Sequence, residues 1–311
     1  MLLVILCIAV AIMNPRFLSP TNLSNMALLI GMYGIFSLGL GLVIITGGID
    51  LSVGSMFALQ GVLLAMMLSE KHWPWPLAVA LILLLGAALG LLHGVLITRV
   101  KLQPFVVTLC GLLFYRGLAR FVSNDETKGF GESTGFEGLR DFMTGNLLGV
   151  PVAFVWLIII AAIVALFLHR GVSGRYLYAV GRNEDAARYS GLNTNRIVTS
   201  AYVISGLLAA IAGILIAFYT NSVSPSSHGN FYELYGIAAA VLGGCSLRGG
   251  EGSVLGILLG TALLQVLQNL VNLLGIPSSL NFAVMGAVIL LGVLADQLLK
   301  NRKPRASTAA A

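Results

Sequence analysis

The chain has 311 residues, 58% of them hydrophobic and 10% charged, with a net charge of +6 and a mean hydropathy of +0.94. Soluble domains carry roughly one-quarter charged residues, so this composition excludes a water-solvated globule and makes lipid the main solvent. The positive balance calls for no nucleic-acid partner, because the basic residues gather at the ends of apolar runs, where anionic lipid attracts them.

Apolar runs of about 20 residues, enough to cross roughly 30 Å of hydrocarbon, predict an all-α, polytopic transmembrane bundle of about ten spans, one domain over 1–311. They fall near 1–13, 26–46, 52–68, 77–97, 104–121, 147–168, 197–219, 235–245, 254–274 and 280–299. Lipid leaves no water for unpaired backbone groups, and the continuous apolarity of 147–168 and 197–218 lacks the two-residue alternation of a membrane barrel. The first run is too short for a full crossing. With no basic segment before it and no small-residue cleavage site after it, it reads as a late or trimmed start rather than a signal peptide.

Between the second and third runs, Thr46-Gly47-Gly48-Ile49-Asp50-Leu51-Ser52 breaks the apolar pattern with two glycines, a carboxylate and hydroxyls. Two readings stay open for Thr46, Gly47, Gly48, Asp50 and Ser52. Either Asp50 or Ser52 caps the next helix after the glycines end the previous one, or these residues line a translocation path. Farther on, His93 inside the fourth run reads as a hydrogen-bonded interior residue. The 122–146 loop carries Asp125, Glu126, Glu132, Glu137 and Asp141 against Lys128 and Arg140, which places it outside.

The 170–196 loop is basic, with Arg170, Arg175, Arg182, Arg188 and Arg196. Together with Arg99 and Lys101 and with Lys300, Arg302, Lys303 and Arg305, these mark the cytoplasmic side and put both termini there, in the cell (inner) membrane. Within the loop, Asn183 suits an N-cap, Glu184 and Asp185 suit the positive end of a helix, Ala186 and Ala187 propagate it, and Gly191 ends it. A helix of about two turns is predicted, held by packing because so short a helix is marginal alone.

The eighth run is short and ends at Gly243-Gly244, which predicts a half-helix. The 243–253 segment repeats the layout of the first break, a weak sign of an internal repeat, and Arg248 and Glu251 within it are candidates to pair. In the ninth run Gln265, Gln268, Asn269 and Asn272 fall along one helix face. They serve either as sugar-binding amides or as glue between helices. Cys7, Cys110 and Cys245 have no metal-site spacing and read as small buried hydrophobes. No catalytic residue and no metal ligand set is assigned, and no Gly-rich phosphate loop of the form G-x-x-x-x-G-K-[ST] occurs, so no cofactor is expected on this chain. The near absence of charge at membrane depth suits a path for a neutral polyol.

From Asn14-Pro15-Arg16-Phe17, through Leu40 to Ser55 with its Gly48-Ile49-Asp50-Leu51-Ser52 core, the 174–191 loop and the 243–252 break, to Asn272-Leu273-Leu274-Gly275, the chain resembles the sugar-type permeases of ATP-binding-cassette importers, the ribose transport permeases above all. That resemblance implies a permease domain whose two copies or near-copies form the path, an extracytoplasmic binding protein that delivers a monosaccharide, and cytoplasmic ATP-binding subunits that power the cycle. It further implies that Arg182, Asn183, Glu184, Asp185, Ala186, Ala187, Arg188, Ser190 and Gly191 form the helix that seats on the ATPase. The N-terminus departs from the family, whose members usually carry a cytoplasmic lead and a longer first span. The competing reading is an ion-driven secondary transporter with Asp50, which stands nearly alone in the sequence, as its ion site.

Overall fold

The computed structural model describes residues 2–131 and 135–277, with isolated positions between 280 and 290. In chain order its helices are α1 (Leu2–Met13), α2 (Pro20–Ile45), α3 (Val53–Ala65, continued by a π turn over Met66–Glu70), α4 (Trp75–Thr98) and α5 (Pro104–Val122). Then follow α6 (Glu137–Thr144), α7 (Val152–Ala165, with a π turn over Leu166–Arg170), α8 (Val172–Arg182), α9 (Glu184–Tyr189), α10 (Thr194–Thr220), α11 (Tyr232–Leu242) and α12 (Val254–Leu273). Seven of them, α2, α3, α4, α5, α7, α10 and α12, are long and apolar enough to span a membrane. The short runs α1 and α11 complete nine of the ten expected spans, and the run at 280–299 lies almost wholly outside the described residues.

Local chemistry sets the starts. Proline opens the first turn of α2, α4 and α5 (Pro20, Pro76, Pro104), where its missing N–H costs nothing. The side chains of Ser19, Asn193 and Ser253 accept hydrogen bonds from the main-chain N–H groups of Asn22, Arg196 and Gly256, a capping arrangement worth about 1 kcal/mol each. Ser19 explains why α2 begins six residues before the apolar pattern does.

Helices α2, α3 and α10 form the buried centre, and α4, α5, α7 and α12 surround it. Lipid tails are as apolar as leucine, so helices in a membrane associate by close packing rather than by the hydrophobic effect. The α4/α10 crossing shows this. Gly86, Gly90 and Gly94 present one bare stripe to α10, and a Cβ on Gly90 would strike the main-chain carbonyl of Tyr202, while one on Gly94 would lie 2.7 Å from the Cα of Thr199.

The ends of the bundle differ. The connections 99–103 and 171–193 bring Arg99, Lys101, Arg170, Arg175, Arg182 and Arg188 together at one end, here the basic end. At the other, 123–151 folds over the bundle through α6 and through a two-residue strand, Lys128–Gly129, paired antiparallel with Ser222–Val223. The rings of Phe130, Phe136 and Phe218 anchor it. Its acidity is partly neutralised: Arg120 pairs with Asp125 at 2.7 Å, and Lys128 pairs with Glu70 and Glu126 at 3.0 Å, contacts that hold the Lys128 ammonium above its usual range. Glu132 lies outside the described residues. The cysteines are not uniformly buried: Cys245 is, Cys7 is half-buried, and Cys110 is exposed on the outer face of α5.

Replacing Gly90 with Val is expected to lower stability by about 1–3 kcal/mol through overpacking, read as a lower unfolding midpoint in detergent. An unchanged midpoint would show that α4 and α10 do not touch at this glycine.

Candidate functional site: two helix breaks and a coupling segment

At the first break, the hydroxyl of Thr46 donates to the carbonyl of Val43 at 2.7 Å, and Gly47, at φ +82°, turns the chain out of α2. The chain then runs without regular secondary structure to Ser52. Asp50, 2% exposed, accepts through one oxygen from the main-chain N–H of Ser52 at 2.9 Å and from its hydroxyl at 2.6 Å. Asp50 thus organises the turn before α3, and Ser52 is the N-cap residue but makes no side-chain cap bond. The Glu233 carboxylate of α11 lies against Gly54, in the first turn of α3.

Asp50 is therefore not alone, contrary to its appearance in the sequence. His93, Tyr115, Tyr202 and Glu233 all lie within its electrostatic reach. The Tyr115 hydroxyl and His93 Nε2 are 2.8 Å apart, so His93 is the interior hydrogen-bonded residue expected. The Tyr202 hydroxyl donates to the carbonyl of Ile49 at 3.1 Å, fixing the connecting segment to α10.

Arg116 of α5 ties this break to the connection before α11. Its guanidinium donates to the carbonyls of Pro225 at 3.1 Å, His228 at 2.7 Å and Gly54 at 3.4 Å. Gly111, which faces Ser52, and Arg116 lie seven and twelve residues into α5, roughly 10 and 18 Å along it. The break sits inside the membrane thickness. So does the start of α11, whose 11 residues span roughly 16 Å, the half-helix expected. Two helices begin inside the bundle with their positive ends close together. Two carboxylates, Asp50 and Glu233, sit at those ends as the helix dipole favours, and Arg116 lies within electrostatic reach of Glu233.

The expectation of almost no charge at membrane depth is thus corrected. Glu233 falls just before the apolar run of the eighth span, and Arg116 precedes Arg120 near the end of the fifth, so both pass for span-end charges in the sequence. The signal available was Arg116 itself, an ionisable residue within the 104–121 run.

At the basic end the two breaks touch. The N–H of Gly250 donates to the carbonyl of Ile45 at 2.8 Å. A Cβ on Gly181, at the end of α8, would collide with that same carbonyl and lie 2.5 Å from the nitrogen of Gly250, and one on Gly249 would lie 2.8 Å from the nitrogen of Gly47. The Tyr178 hydroxyl of α8 donates to the carbonyl of Gly252 at 2.8 Å. Three backbones meet where no side chain fits. Arg248 and Glu251 form no ion pair among the described residues, and the segment is closed instead by the Ser246 N–H donating to the Glu251 carbonyl at 3.2 Å.

The 174–191 segment is two helices, not one loop helix. Arg182 closes α8, and Asn183 then caps α9 by accepting from the Ala186 N–H at 2.9 Å. Arg188 donates to Glu184 at 2.6 Å, and the Thr194 hydroxyl donates to the same carboxylate oxygen at 3.1 Å, joining α9 to the start of α10. The Ser190 hydroxyl bonds the carbonyl of Ala186, and Gly191 ends the unit at φ +85°. Ala187 packs inward while Asp185 and Tyr189 project outward.

Of the amides of α12, Asn269 makes interhelical contacts. Asn269 and Asn22 exchange side-chain hydrogen bonds of 2.7 and 3.1 Å, joining α12 to α2, and Gln265 is buried. Asn272 is exposed near the end of the helix, outside the region of the two breaks. Ser226, Ser227 and Asn230, which the sequence reading passed over, are exposed on the connection that Arg116 holds.

Substituting Arg116 with Ala is expected to leave Glu233 without its counter-charge and to free the carbonyls of 225 and 228. Hydrogen exchange should accelerate across 224–231 while α2 stays protected. Equal protection in both proteins would remove Arg116 as the clamp.

Over residues 22–293 the chain matches the family described as branched-chain amino acid transport system / permease component. It is 40% identical over 296 residues to the ribose import permease protein RbsC of Bacillus subtilis (strain 168), covering 95% of this chain and 90% of that protein. It is 38% identical over 306 residues to the probable ABC transporter permease protein y4mJ of Sinorhizobium fredii (97% and 89% covered), and 33% identical over 309 residues to the autoinducer 2 import system permease protein LsrD of Escherichia coli O9:H4 (97% and 92% covered). No solved structure matches the chain. With a multi-pass helical bundle and similarity along nearly its whole length, the chain belongs to this family and is the membrane-spanning permease component of a transport system.

Proposed function

We propose that the chain is the permease subunit of an ATP-binding-cassette importer and moves a ribose-like monosaccharide inward by alternating access. The observation that carries the proposal is the junction at Gly181, where the end of α8 lies directly on Ile45 and Gly250. A load applied to α9 passes through α8 to both helix breaks at once. Residues 182–191 form the seat for a cytoplasmic ATP-binding subunit, which hydrolyses ATP. The chain itself binds no cofactor. An extracytoplasmic sugar-binding protein docks at the end covered by 123–151, and a second permease chain completes the path. The basic end faces the cytoplasm of the cell inner membrane, with both termini there, following the distribution of Arg and Lys.

The charge pattern at depth supports a neutral cargo. Arg116 is spent on three carbonyls and Asp50 accepts from the N–H of Ser52, so neither is left as a free counter-charge for a zwitterionic amino acid. The exposed polar groups on the inserted connection are Ser226, Ser227 and Asn230, groups suited to sugar hydroxyls; Ser226 Oγ also lies 3.2 Å from Ser224 Oγ, and the Asn230 amide donates to the Ser226 carbonyl. Ribose and autoinducer 2 in the names of two relatives point the same way. An ion-driven mechanism through Asp50 is disfavoured by the same arrangement, since its bonded oxygen already serves two donors of Ser52.

In proteoliposomes holding the chain with its co-purified ATP-binding subunit and binding protein, labelled ribose is expected to accumulate with ATP and labelled leucine is not. Uptake without ATP under a proton or sodium gradient would overturn the reading. Gly181→Val is expected to keep ATP hydrolysis while cutting uptake per ATP at least tenfold, which corresponds to about 1.4 kcal/mol of lost coupling. Glu184→Ala with Arg188→Ala should uncouple similarly by loosening α9. Normal coupling in both variants would exclude this route.

A further inference from the structure

Beside their glycine-lined crossing, the outer faces of α4 and α10 part toward the basic end and leave an open cleft of about 500 Å³. Its wall changes character along the bundle axis. The deeper part is formed by Leu91, Val95, Val203 and Ile204, and the part at the basic end by Arg99 and Arg196 with the amide of Asn193. Leu91 and Arg99 are eight residues apart on α4, roughly 12 Å along the membrane normal. An apolar wall that gives way to two cations over that distance has the depth profile of one phospholipid, acyl chain below and phosphate above.

The two guanidinium groups have no partner among the described residues. Neither forms an ion pair among the described residues, and the one hydrogen bond of Arg196 uses its main-chain N–H, which donates to Asn193 Oδ1 at 3.1 Å. Nearby charges are already engaged: Lys101 with Asn195, and Glu184 with Arg188 and Thr194. Two unpaired guanidinium groups at the mouth of one cleft repel each other, and guanidinium geometry matches phosphate oxygens. We infer that this cleft is a binding site for an anionic phospholipid, its phosphate between Arg99 and Arg196 and an acyl chain along Leu91 and Val203. The lipid bridges the end of α4 and the start of α10, two residues beyond Gly191. It thereby braces the segment that joins α9 to the bundle. The inference is independent of the cargo and uses the proposed orientation only in placing the site in the cytoplasmic leaflet.

The full-length chain is equilibrated with mixed vesicles of phosphatidylglycerol and phosphatidylcholine, and the retained lipid is counted by native mass spectrometry. Preferential retention of one phosphatidylglycerol per chain is expected. Arg99→Gln with Arg196→Gln should reduce the preference about thirtyfold, the product of two basic side chains at a lipid surface, whereas Arg99→Lys with Arg196→Lys keeps most of it. Leu91→Trp, which leaves both charges and fills the apolar half, should also lose the lipid. Arg170→Gln with Arg175→Gln should change nothing. Equal retention of the two lipids by the native chain, an unchanged preference in both the Gln pair and Leu91→Trp, or full displacement of the lipid by inorganic phosphate would each overturn the site.

Discussion

A helix that stops inside a membrane leaves its first N–H and last C=O groups with no water to bond, and each unmet group costs several kcal/mol. The architecture of this permease depends on how that demand is met at α3 and α11. Both begin within the bundle. Asp50 and the Ser52 main chain close the turn before α3, the Glu233 carboxylate lies against Gly54 at the positive end of that helix, and the carbonyls of 225, 228 and 54 are collected by one guanidinium, that of Arg116. Arginine suits this task because its planar fork offers five donors in fixed directions and stays charged. A lysine offers three donors on a flexible stem and could not hold three carbonyls on two separate segments as firmly.

This solution shapes what the interior can do. Two carboxylates and one cation are placed where helix dipoles favour the anions, so the group is close to neutral in effect and every charge has an internal partner. A path beside it meets hydroxyls, an amide and tyrosine rings rather than open charge. Tyr33, Tyr232 and Tyr235 pack with Phe36 and Phe57 in the same region, with ring centroids 5.0–6.4 Å apart. Weak, hydroxyl-directed contacts suit a permease, since a cargo bound tightly in both states would shift no equilibrium between them.

Much of this was legible in the sequence because lipid imposes simple patterns. Apolar length placed the seven helices long enough to span and the two shorter apolar helices α1 and α11, the glycine pair at 47–48 marked the first break, and Asn183 with Gly191 framed α9 almost to the residue. What escaped was tertiary. Glu233 meets Gly54 of α3 from 179 positions away, and no local pattern links the two. Arg116 resembles a span-end arginine until its partners are known. The polar face of α12 was legible as a face, yet only Asn22, at the start of α2, decides that Asn269 is glue. The likeness of the two glycine breaks was visible in the sequence, but that they touch depends on α8 arriving between them.

The same contact supports the lever role proposed for α9 despite its length. Six residues cannot hold a helix in water, and α9 is not asked to do so alone. Asn183 fixes its start, the Glu184 carboxylate ties it to Arg188 and to Thr194 of α10, and Ala187 packs against Val43, Val180, Val198 and Tyr202. Val43 belongs to the last turn of α2, and Tyr202 holds the connecting segment through Ile49. Displacing α9 therefore disturbs the first break by two routes, the backbone contact at Gly181 and this small apolar cluster. Packed interiors shift between discrete arrangements rather than deform smoothly, so such a load is passed inward to Asp50 and Gly54 instead of being absorbed at the surface.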